Sequence, residues 1–325
     1  MHLKFCYYWS LLCDTMRTPS TILRSLSLRR FQPSAAVAPL PATTQFSQDL
    51  TAELTTLQSL SNSGEYFMPQ LFDAAITTQK IALNSLAQVS YFPDVDHGAK
   101  EEYLETNTDI LDACNYFVER IEGMKKKYVD SLRKVLRFVE SEATSRALDG
   151  LVQLESCHGT EKKRLKMGKL GGSCLPRTKQ GHESEFSEIV CGSKAMALMS
   201  CCFLEQALSI DCGKSEFFSM MKCHRMSCSW LRIMQELAEG SDEKKRRRGS
   251  LVMVELQQTV AAARELKEVI KGKRGKEMVE SCVERVKRSC KELEDEIGFI
   301  EGKVRDLYRS LIDVRMALLG ILSQA

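Results

Sequence analysis

The sequence lacks the features of a secreted, disulfide-stabilised protein. No Cys-x-x-Cys pair and no Asn-x-Ser/Thr glycosylation acceptor occurs among its 325 residues. The 13 cysteines are odd in number, and most fall within helix-like segments. A disulfide framework is therefore disfavoured, and we expect reduced, buried thiols, with Cys114 and Cys290 on apolar helix stripes. The apolar run Phe5–Cys13 has nine residues, which is too short to span a bilayer.

Proline is missing from most of the chain. All seven prolines lie at or before Pro176, and residues 94–175 and 177–325 contain none. An interior proline costs a helix about 3 kcal/mol, so long helices require tracts of this kind. No segment alternates apolar and polar residues as an amphipathic strand would. We predict an all-α fold, an elongated bundle of long antiparallel helices with a heptad-patterned C-terminal helix and a disordered N-terminal arm.

Motifs of common catalytic and metal centres are absent or incomplete. The sequence contains neither His-Glu-x-x-His nor Gly-x-Ser-x-Gly. Gly213-Lys-Ser215 ends like a phosphate loop, but Leu208 stands where its first glycine is needed. The paired chelate of structural zinc is missing from Cys212, Cys223, His224 and Cys228. We predict no cofactor, metal or catalytic residue. The alternative, an enzyme for a small metabolite, would need a concave polar pocket with perturbed titratable groups.

The net positive charge is concentrated at the N-terminus. The formal net charge is +3, but residues 1–48 alone carry +4, so the rest of the chain is close to neutral. We therefore predict no nucleic-acid partner for the body. The arm is rich in Ser, Thr, Ala, Pro and Arg, and from Arg17 to Gln48 it has no acidic residue. This composition is typical of a disordered arm or of a transit peptide. We expect a cytoplasmic protein, or a plastid one if residues 16–46 are a transit peptide.

Residues 47–325 are predicted to form a single helical domain, with residues 1–46 outside it. Leu50, Leu54, Leu57 and Leu60 form a first short stripe, and Pro69 can occupy the first turn of a second helix that Pro93 ends. Flexible loops are predicted at 159–185 and 241–249, and Gly272–Gly275 is a break. Further helices are predicted near 100–155, 186–211, 216–238, 250–271 and 279–321.

The C-terminal helix has the most regular pattern in the chain. From Val279 to Ile321, apolar residues recur at alternating spacings of four and three. The interaction or core seam comprises Leu293, Ile297, Ile300, Val304, Leu307, Leu311, Val314 and Leu318, preceded by Val283, Val286 and Cys290. One flank of the seam is small and weakly polar, which favours a bundle within the chain. A homodimeric coiled coil is the alternative.

Two motifs in the helical region resemble the plant BYPASS-like family. Leu307-Tyr308-Arg309-Ser310-Leu311-Ile312-Asp313-Val314-Arg315 is similar to its "Leu-aromatic-Arg-x-Leu-Ile-x-x-Arg" core, and the "Leu-Leu-x-Ile-Leu" close follows at Leu318–Leu322. Upstream, Asp109–Asn115 resembles the family's "Leu-Asp-x-Cys-Asn" helix. The family-motif residues are Leu307, Tyr308, Arg309, Leu311, Ile312 and Arg315.

The resemblance implies a function without chemistry. It implies an all-helical plant protein of root and shoot development, in a family whose founding member restrains a root-derived mobile signal that arrests shoot growth. Related members are connected to the tethering of secretory vesicles. No catalytic residues are established for that family, so none is carried over. We therefore expect a non-enzymatic regulatory or adaptor protein that binds protein partners through helical faces.

A second hypothesis is a peripheral membrane or exocyst-linked vesicle-tethering factor. It rests on the basic arm and on a run of five cations that could contact anionic lipid. This run is Lys244, Lys245, Arg246, Arg247 and Arg248. A nuclear import signal, a nucleic-acid contact and a solvated loop are its other interpretations. Ser250 follows Arg247-Arg248-Gly249 and fits a basophilic kinase site near a helix start, where a phosphate is favourable.

Overall fold

Helices account for almost all of the chain that the structure describes. The computed structural model describes residues 44–63, 67–89, 97–157, 185–209, 228–248 and 253–324, and within these ranges no strand occurs. The all-α prediction is confirmed. The helices are α1 (Gln45–Ser63), α2 (Phe67–Val89), α3 (His97–Met124), α4 (Asp130–Glu140), α5 (Thr144–Cys157), α6 (Glu185–Ala207), α7 (Ser229–Arg248), α8 (Val254–Lys271) and α9 (Lys276–Gln324). A π-helical turn, Lys125–Val129, continues α3 directly into α4.

The first two helices begin with the local chemistry that helix starts require. Thr44 caps α1, because its Oγ1 accepts a hydrogen bond of 3.0 Å from the Ser47 backbone N–H. Thr44 Oγ1 also donates to Glu188 at 2.7 Å, and the same carboxylate accepts from the Trp230 indole at 3.3 Å. Glu188 thus links the starts of α1 and α7 to α6. Pro69 occupies the first turn of α2, as predicted.

Helix α6 lies at the centre of the packing and contacts α1, α2 and α3. Nearly all its side chains are buried, including polar ones, and Ser193 Oγ donates to Gln79 Oε1 at 2.6 Å while Gln79 Nε2 donates to the Ser193 carbonyl at 3.0 Å. This reciprocal pair satisfies both groups and defines how α2 lies on α6. Among the described helices, α6 alone is long and apolar enough to cross a membrane, and 83% of its most apolar window is buried inside the protein.

The long helix α9 packs against α2, α3 and α8. It runs antiparallel to the α3–α4 rod, because Lys287 pairs with Glu140 near its start and Arg315 donates to the Leu104 carbonyl near its end. It is also antiparallel to α8, to which a short turn connects it. Buried residues from Phe46 to Leu318 form one continuous core. The prediction of long antiparallel helices therefore holds for α9 and both of these neighbours.

One predicted helix is in fact a rod, in which α3 continues into α4, followed by the separate helix α5. The stripe near 100–155 predicts a single helix, but the chain ends α4 at Glu140 and reverses at Ser141–Ala143 into α5. Two backbone bonds close the turn, from Ala143 N–H to Phe138 O at 2.8 Å and from Glu142 N–H to Val139 O at 3.0 Å. This is a Schellman motif, in which Glu142 has a left-handed φ of 60°. Because glutamate and not glycine occupies that position, nothing in the sequence marks the turn.

Replacing Glu142 with glycine is expected to stabilise the protein by about 1 kcal/mol, because a left-handed conformation costs an L-residue about 1–2 kcal/mol that glycine avoids. The check is urea unfolding followed by circular dichroism. Glu142→Ala, which keeps the Cβ, is the matched control and should stay near the parent. Equal stability of the glycine and alanine variants would show that this turn carries no left-handed strain.

The predicted loop at 241–249 is wrong over most of its length. Helix α7 continues through Asp242, Glu243 and the basic run to Arg248. Lys, Arg and Glu all have high helix propensity, and this outweighs the break that Gly240 suggests. The helix predicted at 216–238 begins at Ser229 in the described residues.

Candidate interaction surfaces of the C-terminal helix

The predicted seam of α9 is buried by the chain's own helices. Cys290 is 3% exposed, and the eight positions from Leu293 to Leu318 are each at most 1% exposed. Val279 is partly buried and packs against the same core. The seam is therefore part of a helical bundle formed within the chain. This corrects its role as an interaction surface, because side chains already packed between α2, α3 and α8 are not available to a partner. The homodimer stays a prediction that would need another surface.

The family-motif residues divide between the two sides of α9. Leu307 and Leu311 lie fully buried in the core, whereas Arg309 is exposed and pairs with Asp306 one turn away at 2.8 Å. Arg315 Nη1 donates to the Leu104 carbonyl at 2.7 Å and to Thr108 Oγ1 at 2.8 Å, which ties the end of α9 to α3. Tyr308 and Ile312 are only partly buried. The motif thus combines core packing, one tie to α3 and an outward-facing apolar part.

That outward part continues along the helix as an apolar stripe, defined here as Tyr308, Ile312, Met316 and Leu319. The spacings of four, four and three place the four side chains on one side of α9. Met316 is 61% exposed and Leu319 39% exposed, and both belong to the small set of large apolar side chains that the described residues leave exposed. These adjacent apolar side chains make the stripe a candidate protein-binding surface.

The same side of α9 is polar one turn before the stripe begins. Lys125, from the π-helical turn, donates to Glu301 at 2.8 Å, and Arg305 donates to the same carboxylate at 2.6 Å. The hydrogen bond from Lys125 holds the pKa of Glu301 below its ordinary value. Two turns closer to the start of α9, Arg133 pairs with Glu294. These ion pairs join α9 to the α3–α4 rod, so α9 is fixed before the stripe.

A groove of about 690 Å³ lies between α8 and the start of α9. Its walls include Glu265, Cys282 and Arg285, and Arg285 pairs with Glu265. Burial and the neighbouring Glu265 raise the pKa of the Cys282 thiol. A nucleophilic cysteine needs the opposite shift, towards the thiolate. The groove therefore gives the small-metabolite enzyme no activated group at this cysteine.

Two core thiols, Cys201 and Cys290, are also held in the protonated state. The hydrogen bond to Cys114 and complete burial raise the pKa of Cys201 well above its ordinary value. Burial raises the pKa of Cys290 from 9.0 to about 11. Cys114, Cys201 and Cys290 are free and buried, as the sequence predicts for Cys114 and Cys290. They belong to the packing of the bundle.

Stability is expected to fall at alkaline pH because of Cys290. Its pKa is about 11 in the folded chain against 9.0 ordinarily, so its contribution is complete below pH 9.0 and is lost as the pH rises through 11. The unfolding free energy should decrease by at most about 1.4 kcal/mol per pH unit from this group. Urea unfolding of the parent and Cys290→Ala across this range checks it. Parallel pH curves for the two proteins would contradict the assignment.

Several predicted features lie outside the described residues. These are residues 1–43 of the predicted arm, most of the 159–185 loop, Gly213–Ser215, Ser250, and three of the four residues weighed as metal ligands. The predicted end of the arm at residue 46 is wrong by three residues, because Thr44 caps α1 and Phe46 is buried in the core. The backbone of Lys244–Arg248 belongs to α7, but its side chains are outside the described part, so its three proposed contacts stay predictions. Among described residues, no cluster of His, Cys, Asp and Glu could hold a metal ion.

Between α8 and α9, where the sequence predicts only a helix break, the structure has a basic turn. The basic turn comprises Lys271, Lys273, Arg274 and Lys276, and all four are exposed. No ion pair involves any of them within the described residues. The sequence does contain a sign of this surface, because Lys-Gly-Lys-Arg-Gly-Lys has four cations within six residues and no carboxylate. The net charge of the whole body conceals it.

Comparison with known proteins identifies no relative. No family model, no curated protein and no solved structure matches this chain.

Proposed function

We propose that this protein is a non-enzymatic helical adaptor, and that the apolar stripe of α9 is where it binds a protein partner. The observation that carries the proposal is the position of Met316 and Leu319, which are 61% and 39% exposed on a helix whose seam is fully buried. A rigid helix that displays apolar side chains four residues apart fits a partner helix with a matching apolar face.

The surroundings of the stripe support this use. The Lys125–Glu301 and Arg133–Glu294 pairs and the Arg315 bonds hold α9 against the α3–α4 rod on both sides of Tyr308. The stripe is therefore presented on a backbone that is already ordered, which lowers the entropy lost on binding. Arg309 lies beside it and is well exposed, so a partner with a carboxylate at this edge gains a charge pair.

The biological setting of the proposal rests on sequence resemblance alone. Tyr308, Ile312 and Arg315 belong to the motif that resembles the plant BYPASS-like family, and Tyr308 and Ile312 are also part of the stripe. We propose on this basis that the protein acts in plant root and shoot development. Binding by a regulatory protein requires no catalytic group, and none was carried over from the family.

The test uses two variants of the full-length protein, tagged at the N-terminus so that the stripe stays free. Met316→Lys with Leu319→Lys places two charges in the stripe, and Val152→Lys is the control because Val152 is a 52% exposed apolar residue on α5. In plants that lack the gene, the parent and Val152→Lys should restore root and shoot growth, and the double variant should not.

Partner recovery from the same plants completes the test. A protein recovered with the parent and with Val152→Lys, but lost with the double variant, is the expected result. The double variant must retain the helical circular dichroism and the Tm of the parent, since both positions are exposed. Full growth rescue by a folded double variant would overturn the stripe as the functional surface.

A further inference from the structure

The basic turn between α8 and α9 is a second surface, with a different chemistry from the apolar stripe. Lys271 ends α8, Lys276 begins α9, and Lys273 and Arg274 lie between them. All four side chains are exposed, and within the described residues none forms an ion pair. Most other cations on α9 behave differently, since Arg285, Lys287 and Arg305 each pair with a carboxylate. Four positive charges are thus left for a ligand.

Backbone hydrogen bonds define the conformation of the turn that carries these cations. Lys273 N–H donates to the Ile270 carbonyl at 3.1 Å and Arg274 N–H to the Val269 carbonyl at 3.3 Å, which closes a Schellman motif at the end of α8. Lys273 occupies the left-handed position of the motif, with a φ of 49°. Glycine is favoured there, and Gly272 and Gly275 both lie nearby. A lysine in this conformation retains a charge at the turn despite backbone strain.

We propose that the basic turn binds the surface of a bilayer that contains anionic phospholipids. Lysine predominates in it, and an ammonium group attracts anionic headgroups without needing a shaped pocket. Met278, one turn into α9, is 45% exposed and its sulfur lies 3.8 Å from Arg274, so an apolar side chain accompanies the charges. The turn has no aromatic side chain on which a nucleic-acid base could stack.

Nearby carboxylates reduce the charge of the turn but leave it net positive. Glu268 and Glu277 line the groove between the two helices, together with Arg274, and neither forms an ion pair with the four cations. The proposal concerns a surface apart from the stripe and does not depend on it. It gives the peripheral-membrane alternative a site in the described residues, separate from the arm and from Lys244–Arg248.

The test measures binding of the full chain to vesicles of equal parts phosphatidylcholine and phosphatidylserine, and to pure phosphatidylcholine vesicles. Lys273→Gln with Arg274→Gln is the test variant. Arg288→Gln with Lys291→Gln is the matched control, since these two cations are also exposed on α9 and form no ion pair in the described residues. The arm and the other basic run are present in every protein compared, so ratios of affinity isolate the turn.

The parent should bind the anionic vesicles, with an affinity that decreases as salt is added. The test variant should bind about thirtyfold more weakly, since each basic residue near the surface contributes about 1 kcal/mol. The control should stay within about threefold of the parent, because its charges lie about 20 Å further along the helix. Binding of the parent to pure phosphatidylcholine with equal affinity would overturn the proposal.

A third variant separates loss of charge from loss of structure. Lys273→Gly removes one cation and the left-handed strain together, so its Tm should rise while its vesicle affinity falls about fivefold. Three further results overturn the proposal: no binding of the parent to anionic vesicles, an equal loss in the test and control variants, or turn-dependent binding to RNA or to an acidic peptide without binding to vesicles.

Discussion

Replacing Leu307 with alanine is expected to lower the free energy of unfolding by about 2–5 kcal/mol. Leu307 is fully buried in the middle of the α9 seam, in the continuous core that includes residues of α2 and α3. The substitution removes apolar area from the core and leaves a cavity that a tightly packed bundle fills only in part. Urea unfolding monitored by circular dichroism at 222 nm, near the α-helical minimum, measures the change.

The control for this prediction is Met316→Ala on the same helix. Met316 is 61% exposed, so its truncation should change stability by no more than about 0.5 kcal/mol. The comparison keeps the helix, the type of substitution and the assay the same, and differs in burial. Similar losses at the two positions would mean that the seam is not the buried face of α9 and the stripe not an exposed one.

Replacing Arg120 with methionine is expected to cost about 3–5 kcal/mol. Arg120 Nη1 lies 2.7 Å from Glu205 Oε2, and the two side chains are only 7% and 10% exposed. Arg120 Nη2 also donates to the Leu208 carbonyl at 3.1 Å and to Ser209 Oγ at 3.3 Å. A single guanidinium therefore neutralises a buried carboxylate and caps the end of α6, and methionine can do neither.

A double-mutant cycle distinguishes the ion pair from simple packing. Arg120→Met with Glu205→Met removes both charges, and a buried pair replaced by apolar side chains is often neutral in stability. The double variant should therefore be more stable than Arg120→Met alone, although the bonds to Leu208 and Ser209 remain lost. Additive losses from the two single substitutions would contradict a coupled pair, since contacting charges are expected to couple.

The sequence predicts α9 well because its pattern is strict and long. Apolar residues recur at spacings of four and three from Val279 to Ile321, and no other regular structure accounts for that period. Which neighbours cover the seam depends on contacts between distant segments, such as Lys125 with Glu301, and no local pattern records them. The pattern therefore leaves a bundle and a dimer as alternatives, and the packing of α2, α3 and α8 decides for the bundle.

Helix boundaries are predicted wrongly where the local sequence signal disagrees with the packing. Glu142 holds a left-handed turn that sequence rules assign to glycine, so the reversal between α4 and α5 is hidden. In α7 a loop is predicted where the helix continues, because the charged residues that suggest a loop also have high helix propensity. The Arg120–Glu205 pair joins residues on different helices, and a buried ion pair has no marker in either segment.

The two candidate surfaces differ in how far they can be predicted. Tyr308 and Ile312 directly follow Leu307 and Leu311, and the heptad spacing of α9 assigns the two leucines to the seam. How far Tyr308 and Ile312 stay exposed beside that seam appears only once α9 is packed. The basic turn can be recognised in the sequence as four cations in six residues. The left-handed conformation of Lys273 and the absence of ion pairs within the described residues are seen only in the structure.

The most direct test of the account is the accessibility of Cys290, a thiol within the seam. Cys290 is 3% exposed under cover from the same chain, while Cys228 is half-buried and serves as the internal reference. Native protein is treated with a maleimide at constant pH over about a hundredfold range of protein concentration, and labelling at each cysteine is measured by mass spectrometry. The account predicts slow labelling of Cys290 at a rate that does not depend on concentration. Labelling of Cys290 that accelerates on dilution, while Cys228 stays constant, would show that a second chain covers the seam and would contradict it.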